Sequence, residues 1–272
     1  MLSNFVRFIS ILFISVTTNF LCGQIKTNAI GDTINKVDIK GLRQGSWELP
    51  AGMSRMEGPY VDGHKDGTWL YYGPNEHVAA IENYKRGSLE GAVFIFDEQG
   101  KLMNERHFKN NVLHGLNIFF SDSGKTLGKR YYKNGLLHGP YLSFYESGLP
   151  LEESFYHMGL KDSISTYFNN DSKIIARIHY KNGTLHGSYF TYWSNGLTKS
   201  EKSYIQGQAQ GLYTEYYETA HIKIKGKYLN DKKEGKWEYF DVNGQLLKVE
   251  IYKQDQLIKV KNYSKSEKTE IF

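Results

Sequence analysis

The sequence predicts an all-β fold: tandem β-hairpin repeats forming an elongated, twisted antiparallel meander sheet. Three observations predict it. A glycine recurs every 24 residues, at Gly67, Gly91, Gly115, Gly139, Gly187, Gly211 and Gly235, with Ser163 at the one step that lacks it. Five residues after each step stands an aromatic: Tyr72, Phe96, Phe120, Phe144, Phe168, Tyr192, Tyr216 and Phe240. Seventeen residues after each step stands another: Tyr84, Phe108, Tyr132, Tyr156, Tyr180, Tyr204, Tyr228 and Tyr252. Eight units in fixed register define a repeat array, in which units stack on neighbours instead of around one central core.

Composition agrees. Aromatics make up 15% of the chain, with 21 Tyr and 27 Gly but only 5 Pro, which favours strands and tight turns over helices. The net charge of +5 mixes 34 basic with 29 acidic residues and contains no dense Lys/Arg run. That pattern is a solvated surface and argues against a nucleic-acid partner.

The chain opens on FVRFISILFISV from Phe5 to Val16, followed by small and polar residues and Leu21-Cys22-Gly23-Gln24. Residues 1–23 read as a secretory signal peptide, since the apolar run is too short to span a bilayer as a helix. A retained membrane anchor is the alternative. The expected location is therefore exported: periplasmic, cell-envelope or secreted. A lipoprotein built on Cys22 is disfavoured, because Leu21 occupies the place where that signal takes a small residue. Cleavage after Gly23 removes the only cysteine, and the mature chain then has no disulfide to brace it.

Residues 24–44 form an N-terminal lead segment, and residues 45–66, starting Gly45-Ser46-Trp47, an irregular first repeat or cap of 22 residues. Residues 67–258 hold the eight regular units. Each begins with a strand-like run, as in Tyr141-Leu142-Ser143-Phe144-Tyr145, and ends with another, as in Leu127 to Tyr132. Between the runs a glycine stands nine residues into five units, at Gly100, Gly124, Gly148, Gly196 and Gly244. A type I turn followed by a left-handed glycine fits these strings. Between units, KNGLLHG at Lys133–Gly139 and KNGTLHG at Lys181–Gly187 supply Asn-Gly for a second reversal. The step glycine itself is expected to permit close approach or an unusual backbone angle beside a bulky ring. Residues 259–272 are a Lys- and Glu-rich tail that can pair as a capping strand as far as Tyr263.

The string Gly-x-Trp/Tyr-x-x-Tyr/Phe, then a turn glycine, then Tyr-Lys-Asn-Gly-x-Leu-His-Gly resembles the MORN repeat, in its bacterial variant. The residues that carry the resemblance are Gly67-Thr68-Trp69-Leu70-Tyr71-Tyr72, Tyr132 to Gly139, Tyr180 to Gly187 and Gly235-Lys236-Trp237-Glu238-Tyr239-Phe240. The resemblance implies tandem hairpins in an elongated sheet and a protein–protein or membrane-associated scaffolding role. Some bacterial relatives are labelled antitoxin-like; an export signal sits poorly with a cytosolic antitoxin.

No catalytic constellation stands out, and the chain reads as a non-enzyme without a cofactor. It has no Gly-x-Ser-x-Gly elbow and no Gly-x-x-x-x-Gly-Lys-Ser/Thr phosphate loop. His114, His138 and His186 share the position just before the step, but equivalent positions in adjacent hairpins lie ~10 Å apart, too far to share one metal ion. The candidate partner-binding residues are the aromatics two residues after the step: Trp69, Tyr141, Tyr189, Tyr213 and Trp237. They have the opposite strand parity to the aromatics at position five, so the two sets face opposite sides of the sheet. Packing on both faces is the alternative. A protein partner is the leading expectation, and a lipid-headgroup or glycan surface the second.

Overall fold

The computed structural model describes residues 26–27, 33–52 and 54–263. The leader with Cys22 and the end of the charged tail lie outside these residues. Apart from a two-residue pairing of Lys26–Thr27 with Thr33–Ile34, every strand belongs to one 24-stranded sheet. All pairings are antiparallel and join neighbours along the chain, from Lys36–Val37 to Gln256–Asn262. The result is an open meander.

Both predicted turns form, and both are dictated by backbone angle. Within a unit, the residue four places into the tight turn takes positive φ: Gly100 at 79°, Gly148 at 87°, Gly244 at 82°. Asp97 seals its turn by accepting hydrogen bonds at Oδ1 from the Gln99 and Lys101 amides, and Asp241 does the same for Asn243 and Gln245. Between units, two consecutive residues have positive φ, as at Asn134 (51°) and Gly135 (81°). These are the two-residue reversals that match the right-handed twist of the strands. The Gly135 amide also donates to the Leu113 carbonyl, so successive turns are themselves stitched together along the rim.

The step glycine sits in a bulge. Tyr132 pairs with Leu137 and Arg130 with Tyr141, so Tyr131 alone faces His138, Gly139 and Pro140. The extra residues force Gly139 to φ 109°, and Gly67, Gly91, Gly115, Gly187, Gly211 and Gly235 are likewise left-handed. In four units the bulge splits off a two-residue leading strand, such as His64–Lys65 ahead of Gly67–Tyr72.

This sheet has no second layer among the described residues. Only Tyr60, Trp69, Val93, Ile178, Ala209, Trp237 and Val249 are buried apolar side chains, too few for a layered core. Cohesion comes from rows of side chains running across the strands. The two faces are nonetheless unlike. In Pro150–His157, Glu152, Ser154 and Tyr156 are covered, while Leu151, Glu153 and Phe155 are exposed. We call these the inner and outer faces.

Candidate interaction surface on two unlike faces

The inner face carries the aromatics that stand two residues after five of the eight steps. Register pairs place Trp69 opposite Glu82, Tyr141 opposite Ser154, Tyr189 opposite Lys202, Tyr213 opposite Gly226 and Trp237 opposite Glu250. The preceding strand closes the row on its other side, with Arg130 against Tyr141, Ile178 against Tyr189 and Lys202 against Tyr213.

Two of the five candidate aromatics are sealed within this row. Trp69 is 0% exposed and Trp237 is 2% exposed, so neither offers a ring to a partner. The cause is a local fit. A Cβ on Gly58 would stand 2.5 Å from Trp69 Cδ2, and one on Gly226 would come closer still to the Trp237 ring. The absent side chains let the indoles lie flat on the backbone. Lys65 covers Trp69 with Nζ 4.3 Å from the ring centroid, and Lys233 covers Trp237 at 4.5 Å. Tyr60 and Tyr228 meet these indoles edge-on, at 5.0 and 5.1 Å. Tyr141, Tyr189 and Tyr213 occupy the same row and are half-buried, with Tyr156 and Tyr204 packed beside the first two at a tilt and Tyr228 edge-on to the third.

Several carboxylates on this face are neutralised within the chain. Lys161 Nζ binds Glu152 at 2.5 Å and the Tyr167 hydroxyl at 2.6 Å. Burial works against its charge, but these partners outweigh it and hold its pKa above the ordinary lysine range. Near the other end, Glu250 is 8% exposed and accepts from Lys248 Nζ at 2.8 Å and the Tyr252 hydroxyl at 2.9 Å. Burial pushes its carboxyl up, and the hydrogen bonds from Lys248, Tyr239 and Tyr252 more than reverse this, to about 2. Tyr84, whose hydroxyl donates to Glu82, is pushed up to about 12, first by burial and then by that bond.

Of the three histidines before the step, His138 has a structural job, while His114 Nδ1 is buried without a hydrogen-bond partner among the described residues. His138 Nδ1 accepts the Met158 amide of the following turn at 3.4 Å. Asp66, Glu90, Asp162, Gln210 and Glu234 hold the same position and accept the equivalent amides of Arg86, Asn110, Asn182, Asn230 and Gln254. A position that takes Asp, Glu, Gln or His alike is an acceptor for a turn, not a metal-ligand site.

The outer face carries the position-five aromatics, such as Tyr72 and Tyr216, whose hydroxyls donate to Glu57 and Glu201, and it meets solvent at residues such as Leu151, Glu153 and Phe155. One row on it is apolar across three units: Leu116 faces Tyr131, and Pro140 faces Phe155. Ile164 and, farther along, Leu212 continue the same parity. Tyr131 is 37% exposed, Phe155 40%, Ile164 52% and Leu212 64%. A second outer row is continuous through direct register pairs from Glu105 to Lys225. It runs Glu105, Ile118, Lys129, Leu142, Glu153, Thr166, Arg177, Phe190, Glu201, Thr214, Lys225. The charges in it alternate in sign without exception. No period in glycine or tyrosine reveals this row; counting position fourteen of each unit does.

Comparison with known families agrees with this architecture. The MORN repeat variant matches at residues 89–110, 113–134 and 233–254. The three matches start one and five 24-residue periods apart, and each begins just after an inter-unit turn. Three of the hairpin units of this sheet thus match the MORN repeat variant. No curated protein matches it.

Proposed function

We propose that this protein is an exported, non-catalytic scaffold that binds protein through the outer face of its sheet. The observation that carries the reading is the apolar row of Tyr131, Phe155 and Ile164, exposed on an otherwise solvated surface. Exposed contiguous apolar side chains mark interaction surfaces. They sit on rigid strands, so the groups are held in place before a partner arrives. Export is supported by the apolar leader from Phe5 to Val16. The inner face serves a different end, since its rings pack on one another and under lysines.

In-cell crosslinking with mass spectrometry tests this. Lys129 lies in the outer row beside the apolar one and is a natural crosslinking residue. Crosslinks from Lys129 to another polypeptide are expected, and Phe155→Glu together with Ile164→Glu should abolish them while the protein stays folded. Crosslinks unchanged in that double variant would overturn the reading.

A further inference from the structure

The geometry points to a second copy of this chain as the occupant of the outer face, in an antiparallel face-to-face pair. The inference rests on the outer face being a protein-binding surface, and it names the partner.

The alternating row carries the argument. From Glu105 to Lys225 the charges read minus, plus, minus, plus, minus, plus. Reversed, such a row becomes its own complement. A two-fold axis lying along the strand at Thr166 sets Glu153 against Arg177 of the other copy, Lys129 against Glu201, and Glu105 against Lys225. The same operation sets Leu142 against Phe190 and Thr166 on itself. In the neighbouring apolar row it sets Ile164 on itself and Leu116 against Leu212. Residue i meeting j while j meets i is what a two-fold interface requires.

A second observation is independent of the sign pattern. Ion pairs within 4.0 Å occur on both faces, through Glu152, Glu215 and Glu250 on the inner one and as Arg55–Glu57 and Lys236–Glu238 on the outer one. Among the described residues none involves Lys129, Glu153, Arg177, Glu201 or Lys225. Five of the row's six charges are thus outside any ion pair of the described residues, Glu201 accepting only the Tyr216 hydroxyl at 2.7 Å, while Glu105 meets His107 at 3.7 Å. Size is also sufficient. Six charges, one per hairpin, span roughly 50 Å, and strands of this length are about 20 Å wide. Such a face covers on the order of 1,000 Å² per copy, within the range of stable interfaces.

Sedimentation velocity of the purified protein from about 1 to 100 μM is the test. A dimer is expected, weakened as salt rises. Arg177→Glu puts like charges together twice across the axis and should raise the dimer dissociation constant at least ~10-fold, as should Glu153→Arg. The double swap of both residues restores the opposite pairing and should recover dimerisation. Circular dichroism of each variant checks that the sheet is intact. A dimer indifferent to Arg177→Glu, or a double swap no better than either single change, overturns the pairing. A monomer throughout the range also overturns it. If that monomer still crosslinks through Lys129 to a different protein in cells, the scaffold reading stands; if it crosslinks to nothing, both fall.

Discussion

Ser163 stands directly across the ladder from Tyr180, and its backbone is left-handed, with φ 67°. The same pairing joins Gly67 to Tyr84, Gly139 to Tyr156 and Gly235 to Tyr252. The bulge at the step therefore imposes its backbone angle whether or not glycine is present. For an L-residue that angle costs roughly 1–2 kcal/mol. Glycine loses about 0.4–1 kcal/mol through its more flexible unfolded state. Ser163→Gly should then stabilise the protein by about 0.5–1 kcal/mol, read as a higher urea midpoint with an unchanged slope. A lower midpoint would show that the hydroxyl or its neighbours favour serine here.

The indole seats give a sharper test. Gly226 has ordinary φ, so an alanine there meets no backbone strain, yet its Cβ would collide with the Trp237 ring. Overpacking of this kind costs about 1–3 kcal/mol. Gly226→Ala should lose that much. Trp237→Val is itself destabilising, but adding Gly226→Ala to it should cost little, because the collision has gone. The Val93 unit, where Glu82 takes the place of Gly226, shows that a smaller residue tolerates a side chain on the preceding strand. Chemical denaturation of the four-member cycle measures the coupling. Additive losses would contradict the contact.

The two faces predict opposite responses to truncation. Trp69→Ala empties a site closed by Gly58, Tyr60 and Lys65 and should cost about 3–5 kcal/mol. Phe155→Ala removes a ring that is 40% exposed and should change stability by less than about 1 kcal/mol, while weakening partner binding. Equal losses at the two positions, measured by urea denaturation, would contradict the assignment of inner and outer faces.

These contrasts locate what the sequence makes legible. The hairpins are legible because turn chemistry is local: Asn134-Gly135 and the turn glycines state their φ angles in the residue type. The opposed parity of positions two and five is legible from strand alternation alone. Which face is covered is not. Trp69 and Trp237 look like an exposed binding stripe until Gly58 and Gly226 are placed beneath them, eleven residues earlier and on the preceding strand. That pairing depends on the bulge, which shifts the register between units and has no counterpart in a simple alternating strand. The alternating charges of the outer row are hidden for the same reason: neighbours in the row are eleven or thirteen residues apart in turn.

Glu250 links pH to the stability of the last hairpin. Its ordinary pKa of 4.5 falls to about 2 in the folded sheet, with burial opposing and the bonds from Lys248, Tyr239 and Tyr252 prevailing. A carboxyl with a depressed folded pKa binds its proton more weakly when folded. Its contribution is therefore complete above pH 4.5, declines as pH falls toward about 2, and is gone below that. The amount at stake is on the order of 2 kcal/mol. Glu250→Gln keeps the shape and removes the titration. The stability difference between wild type and this variant should be constant from pH 5 to 7 by the linkage rule and should shrink steadily from about pH 4.5 downward. Urea denaturation at half-unit pH intervals measures it. A difference that stays flat down to pH 2.5 would mean that the carboxylate is held no more tightly in the sheet than in the unfolded chain.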